Sequence, residues 1–283
     1  MTGVGIWLAA RLAPRLALVL ALSLPALAQD SEGGASSSSP RGYADDVGST
    51  GSITITRHIN KARAAAASDP KSAKNHYVQA IELSPKSTDF MAEYYKLCMK
   101  TRDWPGVAYV LPKWFAVEPA REREYSGSYG LALVQTGKLD KAGAALKKAL
   151  ASGKEPANTH EGLLRLYLVQ GNSDGAMREY RQTLRLKPND ADLHTEFAAM
   201  LWKQNKLNEA VEEYRAVARL KPGDAPSQAA LGFALMQSRD YAGAYAAYRR
   251  AAELAPKVAN YQSSMKQAFE YDQKYSKALK KKD

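Results

Sequence analysis

The sequence predicts an all-α chain built of stacked helix pairs, and three observations carry that prediction. Prolines close the segments Leu186-Lys187-Pro188, Leu220-Lys221-Pro222 and Leu254-Ala255-Pro256 at intervals of 34 residues. At a fixed distance before each proline stand Ala176, Ala210 and Ala244, followed four residues later by Tyr180, Tyr214 and Tyr248, so each pair shares one helical face. The composition is 45% apolar, rich in Ala, Leu, Lys, Arg and Tyr, with few of the Val, Ile and Thr clusters that sheets favour.

In chain order, the first segment is a leader. Residues 1–28 hold no acidic residue, two arginines (Arg11, Arg15) and then an apolar run from Leu16 to Leu24. Pro25-Ala26-Leu27-Ala28 supplies small residues at alternate positions, so a signal peptide cleaved before Gln29 is expected. The nine-residue run is far short of the ~20 residues that span a bilayer. The expected location is therefore the periplasm or the exterior, with no stable membrane span after cleavage. Absence of any Asn-x-Ser/Thr sequon fits a bacterial envelope. Cleavage removes two of the formal +11 charges and leaves a moderately basic chain. Residues 29–52, with Gly33-Gly34-Ala35-Ser36-Ser37-Ser38-Ser39-Pro40, have too little apolar surface to bury and read as a flexible tether.

Residues 53–256 hold about six repeat-like units. The first shows its second helix in Ala73, Tyr77, Ala80, Leu83 and Pro85. The second, about 88–122, is degenerate: Asp103-Trp104-Pro105 marks a helix start, Pro112 predicts a kink, and Pro119 follows Pro85 by 34. The third, 123–156, carries Gly130, Leu133, Gly137, Ala142, Leu146 and Ala149 in register, with Lys154 at the terminal proline position and Pro156 two residues later. In the next three, Leu163, Phe197 and Leu231 are followed four residues on by Tyr167, Leu201 and Leu235, and Asp190 and Asp224 are placed to cap the helix after the proline. Residues 257–283 predict a capping helix with Tyr261, Met265 and Phe269 on one face and a lysine-rich tail.

A 34-residue period with a small Ala, an aromatic four residues on and a terminal Pro resembles the tetratricopeptide repeat. The resemblance implies a right-handed superhelical solenoid of antiparallel helix pairs, whose first helices line a concave groove for a partner peptide or helix. The family's groove positions fall here on Leu131 and Val134, on Arg165, Leu168 and Val169, on Trp202 and Lys203, and on Phe233 and Met236. These form an apolar stripe edged by two cations. The Lys and Asn pattern with which one variant of the family grips the C-terminal carboxylates of chaperones is not matched.

Chemistry of other kinds finds no support. The chain lacks a phosphate-binding Gly-rich loop, a His-Glu-x-x-His, a Cys-x-x-Cys and a true Gly-x-Ser-x-Gly, so no cofactor, metal or catalytic residue is expected. His160 and His194 lie 34 apart on successive first helices, barely able to share an ion and with no third or fourth ligand recurring at a suitable offset, and read as packing residues. Cys98, the one cysteine, sits in the apolar stretch Tyr94–Met99 and reads as a small buried hydrophobe. Cations and anions alternate through the repeats, which argues against a nucleic-acid stripe. The expected function is a non-enzymatic scaffold or adaptor binding protein partners of the cell envelope or secretion machinery. A second expectation, from the net charge and the lysine tail, is a binder of anionic envelope polymer such as polysaccharide or peptidoglycan.

Overall fold

A computed structural model describes residues 47–279. The expected leader, most of the expected tether and the last four residues of the lysine-rich tail lie outside the described residues. Among those described there are thirteen helices and no strand, the all-α fold that the sequence predicts. They are α1 (Val47–Ala65), α2 (Pro70–Leu83), α3 (Thr88–Thr101), α4 (Trp104–Val117), α5 (Ala120–Gln135), α6 (Leu139–Ser152), α7 (Pro156–Val169), α8 (Ser173–Leu186), α9 (Ala191–Lys203), α10 (Leu207–Leu220), α11 (Ala225–Gln237), α12 (Tyr241–Leu254) and α13 (Ala259–Leu279).

The helices gather into two compact units that divide within α8, between Glu179 and Tyr180. In the first, α1 packs on α2, α3 on α4 and α5 on α6, while α2–α3, α4–α5 and α5–α7 join one pair to the next. In the second, α9 packs on α10 and α11 on α12, and α10–α11 and α12–α13 make the joins.

Two joints recur along the chain. Within a pair, the turn needs one residue with positive φ: Gly137, Gly171, Asn205 and Arg239, spaced by 34, have φ of +77°, +69°, +58° and +66°. The next amide then reaches back five residues, from Lys138 to the Leu133 carbonyl (2.8 Å), Asn172 to Tyr167 (2.9 Å), Lys206 to Leu201 (2.9 Å) and Asp240 to Leu235 (3.0 Å), which closes the helix end. Between pairs, the proline sets the turn. Lys187 O accepts from Asp190 N at 3.2 Å and Lys221 O from Asp224 N at 3.1 Å across Pro188 and Pro222. The same aspartates cap the following helices, Asp190 accepting from Leu193 N (3.0 Å) and Asp224 from Ser227 N (2.9 Å).

One expectation is corrected. The helix α1 starts at Val47, inside the segment read as tether up to residue 52. Its Ile59 and Ala62 are buried with Ile55 packed beside them, and that apolar face carries the helix back through the Gly and Ser residues. Pro112, where a kink is expected, lies inside α4, and the helix runs on for five residues with Val107, Val110, Leu111 and Trp114 all buried around it. On α13, Tyr261 and Met265 pack against the buried cluster, Ser264 and Ala268 take the buried positions beside them, and Phe269, 47% exposed, meets the Tyr245 ring at 5.6 Å between centroids.

The degenerate unit also has an answer. Its positive-φ residue is Arg102 (φ +54°), 35 residues before Gly137 instead of 34, with Asp103 N reaching Cys98 O at 2.9 Å. Its buried small-residue position is Val107, again 35 before Ala142 but 34 after Ala73. The register thus slips by one residue between the second and third pairs.

Close helix approach is clearest around Leu146 of α6, which is fully buried. A Cβ on Gly130 of α5 would stand 2.6 Å from its Cγ, and one on Gly162 of α7 would stand 2.6 Å from its Cδ2. Both helices therefore close on one leucine because each presents a glycine to it. Leu146→Ala should cost about 2–5 kcal/mol in chemical denaturation, since two backbones hold the cavity open. In the opposite direction, Arg239→Gly should raise stability by about 0.5–1 kcal/mol by relieving a left-handed, side-chain-bearing residue, read as a shift of the denaturation midpoint.

Candidate partner-binding face

Of the nine candidate groove residues, the structure brings one group together. Trp202 on α9 and Phe233 on α11 are half-buried with ring centroids 5.2 Å apart, and with Met236 they lie against the buried cluster of Ala198, Ala229, Ala234 and Leu235. Their large aromatic surface is supported from below and open on one side, as an anchor for a partner side chain requires. Lys203 follows Trp202 and is exposed at the end of α9.

The other unit does not present such a face. Leu131 (1% exposed) and Val134 (6%) are core residues, which corrects their reading as groove residues. Val134 packs with Leu133, Leu146, Leu163 and Leu166, and the Leu131 backbone lies against Gly162, so the α5–α7 contact consumes both. Arg165 and Leu168 are half-buried, and Val169 is 58% exposed as the last residue of α7. Helical spacing placed all nine on first helices. It could not say how closely the next first helix approaches, and Gly162, four residues after Asn158, was the signal for that approach.

Polar ties that the sequence reading missed run through the first unit. Glu155, at φ +47° before Pro156, accepts from Tyr95 Oη (3.1 Å), Ser128 N (2.9 Å), Ser128 Oγ (2.7 Å) and Asn158 Nδ2 (3.2 Å). It stands where the other repeats place their proline turn. Glu93 on α3 accepts from Arg63 of α1 (2.6 Å) and from Tyr77 of α2 (3.0 Å), so one carboxylate ties three helices. The Arg63 guanidinium holds the Glu93 carboxyl below the usual carboxylate range, with the Tyr77 hydroxyl adding to it.

The histidines expected to pack are hydrogen-bonded as well. His160 Nδ1 meets Glu179 Oε2 at 2.7 Å and His194 Nδ1 meets Glu213 Oε2 at 2.5 Å, each a first-helix imidazole on a second-helix carboxylate 19 residues later. Cys98 is buried as expected (1% exposed), and burial pushes its thiol up to about 12, which leaves it protonated and unreactive at neutral pH. Among the described residues no three His, Cys, Asp or Glu side chains gather to hold a metal, and no helix is long and apolar enough to cross a membrane.

With this geometry in view, the comparisons with known proteins agree. The tetratricopeptide repeat family matches residues 129–191, 161–226 and 195–259. Among solved structures, PilF of Pseudomonas aeruginosa is similar at 19% identity over 77% of this chain and 99% of that one, with a TM-score of 0.53. PilW, described as a widely conserved type IV pilus biogenesis factor, is similar at 15% identity over 76% and 98%, with a TM-score of 0.52. These likenesses are of fold. A comparison with curated proteins finds no match.

The Arg63–Glu93 pair gives a pH dependence with a definite sign. Because the Glu93 carboxyl is lowered in the folded chain, its stabilisation is present above the ordinary carboxylate range and is lost as pH falls through that range. Partial exposure keeps the effect to no more than about 1 kcal/mol. Urea denaturation as a function of pH should show Glu93→Gln less stable than the parent at neutral pH, with the gap closing as the buffer becomes acidic.

Proposed function

Because the chain belongs to the tetratricopeptide-repeat proteins, we propose that it is an exported, non-enzymatic scaffold of the bacterial cell envelope that holds a partner peptide or helix on the first-helix face of its C-terminal repeats. The observation that carries this reading is the Trp202–Phe233 pair, two large aromatics 5.2 Å apart, half-buried on successive first helices. Aromatic residues on a supported floor are the side chains that most often dominate a protein interface. The ligand's recognition element is then an apolar side chain that inserts beside the two rings, and Lys203 at the edge favours a neighbouring carboxylate. Export rests on the leader at residues 1–28, and envelope partners follow from that location.

A second reading has its own observation. The chain carries a formal charge of +11, with Lys274, Lys277, Lys280, Lys281 and Lys282 at its end. On α12 and α13, Tyr241, Tyr271 and Tyr275 stack with centroids 5.0–6.1 Å apart, and Lys274 Nζ lies 5.8 Å from the Tyr275 ring centre. Stacked rings with a lysine against one of them suit an anionic envelope polymer.

Crosslinked capture from envelope extract separates the two. A Trp202→Ala/Phe233→Ala variant that keeps its helical circular dichroism should lose the partners of the parent, each truncation costing about 2 kcal/mol or more at a hot spot. An unchanged partner set sinks the aromatic face as the site. Capture that collapses between low and physiological salt, with the double variant unaffected, favours the polymer reading.

A further inference from the structure

All four histidines of the chain stand at the seam between the two helices of a pair. Three helix pairs use them. In two, α7–α8 and α9–α10, the first helix supplies the imidazole and the second a carboxylate, His160 with Glu179 and His194 with Glu213. Those histidines are satisfied and need nothing more. In α1–α2 the second helix supplies another imidazole instead: His58 faces His76, 18 residues later, with Nδ1 to Nδ1 at 3.2 Å and ring centroids 5.4 Å apart.

Two facing imidazoles can pair directly, but only in one tautomeric arrangement. A neutral ring has one protonated nitrogen and one bare one, so a direct contact through both Nδ1 atoms forces one ring to hold its proton there and the other to leave its nitrogen bare. If both are protonated, two cations face each other. A divalent cation is the alternative occupant of the same geometry, because both rings then offer a bare Nδ1 to it and keep their protons on Nε2. The spacing suits it: two nitrogens at about 2.0–2.1 Å from one tetrahedral ion lie about 3.3–3.4 Å apart, against the 3.2 Å between these. Both histidines are half-buried, which leaves a side from which water can complete the coordination shell. Imidazole selects borderline first-row ions such as zinc, copper and nickel over calcium or magnesium.

We propose that His58 and His76 form a two-histidine site for a first-row transition-metal dication, which staples α1 to α2 at the start of the array. With no third His, Cys, Asp or Glu beside them among the described residues, the site is exchangeable and of modest affinity, filled when the surrounding metal is plentiful. Occupancy adds a bond between α1 and its neighbour, so metal binding and the docking of α1 are linked.

The test is isothermal titration of the tag-free full chain with zinc chloride at neutral pH, beside His58→Gln, His76→Gln and a His160→Gln/His194→Gln variant, each checked by circular dichroism for retained helix. One saturable site in the parent and in the His160/His194 variant, weakened on the order of tenfold or more in each of the other two, is the expected result. Zinc should also slow proteolytic cleavage within residues 47–65 in the parent but not in His58→Gln, a readout that does not depend on heats of binding. Absence of saturable binding, an affinity in His58→Gln and His76→Gln equal to that of the parent, or loss confined to the His160/His194 variant would each overturn the proposal.

Discussion

Everything in this array depends on how near two helices can come, and that distance is set by small side chains. Ala73, Ala142, Ala176, Ala210 and Ala244 are all fully buried, and each sits where a second helix crosses its neighbours. An alanine there lets a facing tyrosine, leucine or phenylalanine fill the gap without a void; a longer side chain would push the axes apart and forfeit contact along the whole seam. Gly130, Gly162 and Gly232 extend the rule to the first helices, Gly232 lying so near the Tyr248 ring that a Cβ would stand 2.9 Å from its Cγ. Dispersion between many such contacts, and not any single bond, holds the pairs together.

Much of this was readable in the sequence because the signals are local. Proline turns, aspartate caps and Ala-x3-Tyr spacings act within a few residues, and the chain writes them out at a fixed period. What was not readable depended on distances between segments. The one-residue slip in the second unit is invisible until Arg102 is seen to occupy the turn position that Gly137 holds, since an arginine is no cue for positive φ. Likewise Leu131 and Val134 share a helical stripe with the groove positions yet are buried, because the α5–α7 spacing decides which positions remain open.

The polar seams follow a logic that the apolar ones do not impose. Tyr77 with Glu93, His160 with Glu179 and His194 with Glu213 each place a hydrogen-bonding pair at the edge of a helix contact, where water is near and desolvation is cheap. Such pairs add little energy but reject a rotated or shifted neighbour, which would leave them unmatched. A repeat array needs that discrimination, because its apolar surfaces are alike enough for one pair to dock in the place of another.

Glu155 shows what happens where the repeat pattern is broken. An ideal linear array couples each unit to its neighbours alone, so that it can fray from any junction. Glu155 instead reaches Tyr95, 60 residues earlier in the second helix pair, as well as Ser128 in the third, while standing at the threshold of the fourth. Three pairs thereby share one carboxylate. Opening any of them strands its partners' hydroxyl and amide groups, so this stretch behaves as one block in local unfolding, a rigid frame within a chain whose other junctions can open singly.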